Sequence, residues 1–240
     1  MSNPSAAMVV IGDEILSGRT RDINANVLAV ALCEKGIDLM EVRFVPDVPE
    51  RIVGAINTLR AEHTHVFTSG GIGPTHDDIT ADCVAEAFGV GVDVRDDARA
   101  ILEAHYKTTG FELNEARLRM ARIPDGASLI DNPVSKAPGF TIGNVHVMAG
   151  VPKIFKAMLD GLLAGLSSGV TLKSVSLRAE RPEGEIAGPL EEFAKENAHV
   201  SIGCYPFNEN GTLGCNVVIR SGDGEELNRL KDELSEKLGV

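Results

Sequence analysis

Cysteine is scarce: the four thiols, Cys33, Cys83, Cys204 and Cys215, form no CxxC pair and cluster with no histidine. That spacing excludes a zinc site and a disulfide framework and leaves buried, reduced cysteines as the expectation. Basic charge is also short. With 23 Lys and Arg against 35 Asp and Glu the net charge is −12, so most of the surface repels polyanions and nucleic acid is not an expected partner. No apolar run approaches the roughly 20 residues that span a bilayer. The first ten residues lack a basic segment, and their apolar stretch meets Gly12-Asp13-Glu14 before a signal-peptide core could form. A soluble cytoplasmic protein with no membrane partner is the expectation. There is no internal repeat and no low-complexity tract.

What is present is a globular composition, 43% hydrophobic over 240 residues, enough for one large core and a smaller second one. Over residues 1–168 strands alternate with helices, the signature of an α/β fold whose mostly parallel sheet is covered on both faces. Met8 to Ile11 reads as a fully apolar strand. Asp22 is the expected N-cap of a helix that Gly36 stops. Strands are expected at Leu39 to Val45, His65 to Thr68, Ala127 to Ile130, Gly139 to Ile142 and Val145 to Met148, with Gly143-Asn144 as a hairpin turn. Helices are expected at Glu50 to Ala61, Thr80 to Phe88, Asp96 to Thr108, Glu115 to Ala121 and Val151 to Leu166. Residues 169–240 change pattern to strand, helix, strand, strand, helix, with Asn210-Gly211 as the turn of a hairpin. A small α+β domain with an antiparallel sheet follows from that order.

The densest chemical signal is Thr68-Ser69-Gly70-Gly71-Ile72-Gly73-Pro74-Thr75-His76-Asp77-Asp78-Ile79-Thr80. A strand end followed by Gly70, Gly71 and Gly73 lets backbone N–H groups converge on an anion without Cβ obstruction, and the next helix adds its positive end. In an open α/β sheet ligands sit beyond the carboxyl ends of the strands, where this loop must lie. It is neither a Walker A loop nor a GxGxxG fingerprint. Asp77 and Asp78 would repel a phosphate unless a divalent cation, magnesium by preference, lay between them. As helix caps alone, Asp78 and Thr80 would account for only one of these acids. Asp47 ends another strand and can face the same crevice, although a Pro-Asp turn is commonly structural. Ser135-Lys136 and Gly150-Val151-Pro152-Lys153 bring a hydroxyl and two lysines from other loops. His76 reads as an exposed loop histidine.

At these residues the sequence resembles a known family. Gly12-Asp13-Glu14, Val45-Pro46-Asp47, Thr68 through Thr75, Asp78-Ile79-Thr80, Asn132-Pro133, Ala137-Pro138-Gly139 and Gly150-Val151-Pro152-Lys153 look like the molybdopterin-binding MoaB/Mog domain. The form is similar to the N-terminal domain of CinA-type proteins, itself related to the N-terminal domain of eukaryotic FAD synthases, and the tail resembles the small domain that follows it in CinA. The resemblance implies a three-layer αβα fold and a site for a pterin or nucleotide pyrophosphate with a divalent metal. It implies Asp47 and Asp78 as catalytic residues; from its place beside Asp78, Asp77 is expected to join them around the metal. Gly12, Asp13, Glu14, Thr68, Ser69, Gly70, Gly71, Gly73, Pro74, Thr75, Ser135, Lys136, Gly150, Pro152 and Lys153 would bind the ligand. Ala149 departs from the family's usual proline, Ser69 from its commoner threonine, and Lys153 lies closer to the Mog pattern than to CinA; these departures bear on substrate identity. Three functions follow as expectations: hydrolysis of a nucleotide pyrophosphate such as ADP-ribose or FAD, adenylylation of molybdopterin in molybdenum-cofactor biosynthesis, or ligand binding without turnover. A homo-oligomer is expected from the family, with the small domain's open sheet edge as one contact. The C-terminal amidohydrolase domain of many CinA proteins is expected to be absent.

Overall fold

The computed structural model describes residues 3–240, which divide into two units, the second beginning at Val170. The first is organised around β1, Ser5–Ile11, in which every residue from Ala6 onward is buried. A strand apolar on both sides requires cover on both faces. Ala7, Val9 and Ile11 join one hydrophobic cluster and Ala6, Met8 and Val10 the other, so the period of two assigns alternate side chains to two separate cores.

Around β1 the chain lays down α1 (Asp13–Leu16), α2 (Asn24–Lys35), β2 (Asp38–Val45), α3 (Pro49–Glu62), β3 (His65–Ser69) and α4 (Thr80–Phe88). These are followed by β4 (Val92–Val94), α5 (Asp96–Thr109), α6 (Glu115–Leu118), a 3-10 turn at Arg119–Ala121, β5 (Arg122–Pro124), β6 (Ser128–Ile130), β7 (Gly139–Ile142), β8 (Val145–Met148) and α7 (Pro152–Leu163). The main sheet runs β2-β1-β3-β8-β7-β6, parallel through β8 and antiparallel beyond it. Helices α3 and α4 bury Ile52, Ile56, Leu59 and Val84 on one face, and α2 and α7 bury Leu28, Leu32, Phe155 and Met158 on the other. The result is the three-layer αβα arrangement. Because β1, β3 and β8 run parallel, their carboxyl ends deliver Gly12, Gly70 and Gly150 to one rim of the sheet.

The second unit contains β9 (Lys173–Ala179), α8 (Glu183–Glu196), β10 (Ser201–Glu209), β11 (Thr212–Ser221) and α9 (Gly224–Leu238). Its sheet is antiparallel in the order β10-β11-β9, and Leu227, Leu230, Leu234 and Leu238 line α9 against Cys215, Val217 and Ile219.

Several local expectations change. Thr80 does not cap α4: its hydroxyl donates to Gly70 O at 3.0 Å, while Ile79 occupies the cap position. Ile23, not Asp22, is the cap residue of α2, yet the Asp22 carboxylate still accepts from the N–H groups of Asn24 and Ala25. The helix expected at Glu115 to Ala121 ends at Leu118 and tightens into the 3-10 turn, and α7 stops at Leu163. The β4–β5 pair is an element without a sequence signal, its strands of three residues each being too short to show a period. Cys33 is exposed, contrary to the expectation of burial, while Cys83 is buried and its thiol is pushed up to about 12, chiefly by that burial.

One buried polar pair links sheet and stability. His146 on β8 lies 3.2 Å from His65 Nδ1 and 3.0 Å from Thr141 Oγ1, with the Phe67 ring 5.0 Å away centre to centre. Burial, and secondarily the neighbouring His65, pulls its pKa down to about 4. The folded state therefore holds His146 neutral while the unfolded chain protonates it near pH 6.5. Stability is retained above that pH and is lost as the pH falls from about 6.5 towards 4, by about 3 kcal/mol at the acid end. Urea unfolding at pH 7.5 and pH 4.5 should show a smaller pH dependence in His146→Gln than in the parent chain; equal slopes would contradict the assignment.

Candidate functional site

The loop after β3 is shaped by close approaches that only glycine permits. At Gly71 φ is +68° and a Cβ would overlap the Thr80 hydroxyl; at Gly70 φ is +107° and a Cβ would overlap the Ile11 carbonyl. Gly70 N donates to Met148 O, and Thr80 N donates to Gly71 O at 3.0 Å, so the loop is pinned at its base. The N–H groups of Gly71, Ile72 and Gly73 meet no protein acceptor among the described residues. These three residues border a cleft of about 480 Å³ lined also by Glu14, Thr20, Pro74, Asp78, Ser135 and Gly150. Successive backbone donors in a glycine turn form a concavity suited to a phosphate oxygen.

Asp78 lines the cleft, and Thr75 ties it to Asp77. The Thr75 hydroxyl lies 2.5 Å from Asp77 Oδ1 and 2.6 Å from Asp78 Oδ2, and its N–H also donates to Asp78 Oδ2 at 2.8 Å. A hydroxyl carries one proton, so the two carboxylate oxygens compete for it, and Asp78 Oδ2 keeps Thr75 N as a second donor. The Thr75 hydroxyl holds the Asp77 carboxyl below its usual range. Asp47 sits across the rim, accepting from Asp13 N at 2.9 Å. Burial pushes the Asp47 carboxyl above its usual range; the Asp13 N–H opposes that, and the charges of Asp13, Glu14 and Asp77 add to it. This hard-oxygen set, with mutually repelling charges and an over-subscribed hydroxyl, suits a divalent cation. Asp47, Asp77 and Asp78 do not close into a three-ligand cluster within 4.8 Å; the one group of three possible metal ligands that does among the described residues is Glu41, Glu62 and His63, elsewhere in the unit, where Arg43 already pairs with Glu41.

The remaining expected residues distribute around this centre. Thr68 and Ser69 are buried at the end of β3, below the loop. Gly12 leads into α1, placing Asp13 and Glu14 beside Asp47. Ser135 and Pro152 line the cleft. Lys136 follows Ser135 with φ +62°, a left-handed conformation unusual for a side-chain-bearing residue and characteristic of functional loops. Lys153 is exposed in the first turn of α7, and His76 is almost fully exposed.

Three polar residues organise the site, of which Asn132 stands in a motif of the sequence and Asn24 and Arg119 do not. Asn24 is 97% buried in the first turn of α2, and its Nδ2 donates at 2.7 Å to both Ser69 Oγ and Gly150 O, tying two loops together. Asn132 is buried and donates to Ser135 Oγ and Ala137 O while accepting from the N–H groups of Val134 and Ser135, which sets the Lys136 loop. Arg119 donates to Asp78 O at 3.3 Å, and its buried Nε has no partner. Removing the Asn24 amide takes the donor from the buried Ser69 hydroxyl and from the Gly150 carbonyl, so Asn24→Ala is expected to cost about 1–3 kcal/mol in urea unfolding. A loss below experimental error would show that the tie does not hold the loops.

Residues 7–167 match the family described as probable molybdopterin binding domain, and residues 171–240 match the FAD synthase middle domain. A protein of Pyrobaculum calidifontis is 32% identical over 213 residues, 85% of this chain and 81% of that protein. The CinA-like protein of Citrifermentans bemidjiense is 32% identical over 249 aligned positions, 98% of this chain but 58% of that longer protein. Among solved structures, the protein CinA of Thermoplasma acidophilum superposes with a TM-score of 0.62 at 32% identity, over 68% of this chain and 97% of that one. Among the described residues no helix is long and apolar enough to cross a membrane. The chain belongs to the probable molybdopterin binding domain family, in the CinA-like form that joins this domain to an FAD synthase middle domain.

Proposed function

We propose that the chain hydrolyses a nucleotide pyrophosphate, of the class of ADP-ribose or FAD, with a divalent cation as cofactor. The observation that carries this reading is the meeting, on one cleft, of the loop residues Gly71, Ile72 and Gly73, whose backbone N–H groups have no protein acceptor, with Asp78, which shares the Thr75 hydroxyl with Asp77. Anion donors beside unneutralised carboxylates favour a ligand that arrives with a cation. Asp77 and Asp78 would hold the cation, with Asp47 facing them. When bound, magnesium would neutralise the pyrophosphate and lower the pKa of a water molecule. The loop N–H groups bind the phosphate oxygens. Asp47, whose carboxyl is already held above its usual range, accepts the proton of the attacking water. The water oxygen forms a new P–O bond as the bridging P–O bond breaks, giving two phosphomonoesters.

The second unit favours this reading, because its match is to a domain of a flavin-nucleotide enzyme. The match of the first unit to a molybdopterin binding family favours the second reading, adenylylation of molybdopterin from ATP at the same cleft. Chromatography after incubation with magnesium separates them. Hydrolysis yields AMP with ribose 5-phosphate from ADP-ribose, or AMP with FMN from FAD. Adenylylated molybdopterin formed from ATP, with ADP-ribose and FAD left intact, would establish the second reading instead. Retention of these nucleotides without any product would reduce the chain to a ligand-binding module.

A further inference from the structure

The outer strand β2 carries one extra residue against β1. Leu39 pairs with Ala6 and Glu41 with Ala7, so Met40 between them has no partner and is exposed. Such a bulge changes which side chains face which side of the sheet. Leu39 before it and Val42 after it both pack into the cluster of Ala6 and Met8, whereas Glu41 and Arg43 are paired with Ala7 and Val9, on the face that α3 covers. In a regular strand Leu39, Glu41 and Arg43 would share one face. The bulge therefore turns a carboxylate and a guanidinium toward the end of α3, where Glu62 is the last helical residue and His63 follows. Glu41 is level with Ala7 and Val66, well before the end of β3 that feeds the glycine loop, so this corner lies away from the cleft rim.

One ligand atom from each of Glu41, Glu62 and His63 lies within 4.8 Å of the other two. The His63 backbone is fixed from both sides: its N–H donates to Leu59 O at 3.0 Å, and its carbonyl accepts from Asn144 Nδ2 at 2.9 Å. Yet both ring nitrogens are buried and meet no hydrogen-bond partner among the described residues. An imidazole offers a donor and an acceptor, and buried groups of that kind are nearly always satisfied, so the bare ring calls for a ligand. Arg43 Nε donates to Glu41, which neutralises an acid but leaves the ring unserved. We propose that Glu41, Glu62 and His63 bind a divalent transition-metal cation of the zinc class, at a site separate from that of the cleft. One imidazole nitrogen and two carboxylates are a zinc-type donor set, with a fourth position open to water. The nitrogen ligand selects zinc, cobalt or nickel over magnesium, which takes oxygen ligands. Bound there, the cation clamps the outer strand to the end of α3, and Arg43 competes with it for the Glu41 carboxylate.

The test uses the full chain without an affinity tag, in a Cys33→Ser background that removes the exposed thiol. Calorimetric titration with zinc chloride should show a site that persists in excess magnesium, and zinc should raise the unfolding temperature further as its concentration rises. His63→Gln and Glu62→Gln should each weaken this site by about tenfold or more, at least the loss that follows removal of an outer hydrogen-bond partner from a metal ligand. Glu62 is exposed, so its variant tests the site even where His63→Gln perturbs the fold. Arg43→Gln removes the competing charge and should tighten binding by up to about fivefold, the worth of an exposed ion pair. Asp78→Asn should leave this site in place, which separates it from the cleft. Circular dichroism confirms that each variant is folded. Zinc binding that His63→Gln and Glu62→Gln leave unchanged, that Arg43→Gln does not tighten, or that disappears in Asp78→Asn overturns the proposal. The lack of any zinc site that persists in excess magnesium overturns it equally.

Discussion

Asp78→Asn is expected to lower pyrophosphatase turnover by about a hundredfold or more while the cleft keeps its shape. Asp78 Oδ2 accepts from Thr75 N and from the Thr75 hydroxyl, so the carboxylate both carries charge and closes the loop between Pro74 and Ile79. An asparagine side-chain oxygen can still accept from Thr75 N but lacks the charge that a cation needs. A Gly73 Cβ would stand 2.6 Å from Asp78 Oδ2, so the carboxylate already occupies the nearest space to the glycine turn. Asp78→Ala should lose turnover and loop closure together. The comparison separates the two roles: steady-state kinetics on Asp78→Asn report the charge, and calorimetric binding of ADP-ribose reports the shape. Wild-type rates in Asp78→Asn would remove the carboxylate from the mechanism.

The second large effect is at Gly71. Gly71→Ala forces an L side chain into a left-handed backbone at about 1–2 kcal/mol and drives its Cβ into the Thr80 hydroxyl. Thr80 is fully buried and donates to Gly70 O, so it has no free space to yield. Strain, overlap and a displaced buried hydrogen bond together make a loss of about 3 kcal/mol or more the expectation, with ligand affinity falling as the N–H groups turn away. Thr80→Ala removes the overlapping oxygen. A double-mutant cycle should therefore show Gly71→Ala costing less in the Thr80→Ala background, by about 1 kcal/mol or more. Strict additivity would mean that the close approach of Gly71 to Thr80 does not set the loop.

Much of this was legible from periodicity and turn chemistry. The apolar run of β1, the helical spacing from Ile154 to Leu162, and the Gly143-Asn144 and Asn210-Gly211 turns are local patterns, and local patterns survive into the fold. The glycine loop was legible for the same reason. The supporting residues Asn24 and Arg119 were not. Asn24 reads as an ordinary first-turn residue, and its burial depends on Ser69 and Gly150, 45 and 126 positions away. Arg119 stands in a segment that looks like a charged helix face, and its contact with Asp78 O, 41 positions away, has no local signal. The three aspartates were expected to converge. Asp77 and Asp78 share Thr75, whereas Asp47 is held separately by the Asp13 N–H and meets Asp77 through charge.

The most direct measurement of the central claim is the ³¹P NMR spectrum of ADP-ribose during incubation with the purified chain and magnesium. The account predicts that the pyrophosphate resonances decay while two phosphomonoester resonances grow, and that Asp78→Asn leaves the pyrophosphate largely unchanged over the same period. Pyrophosphate resonances that persist with every divalent metal tried, for ADP-ribose and FAD alike, would contradict it.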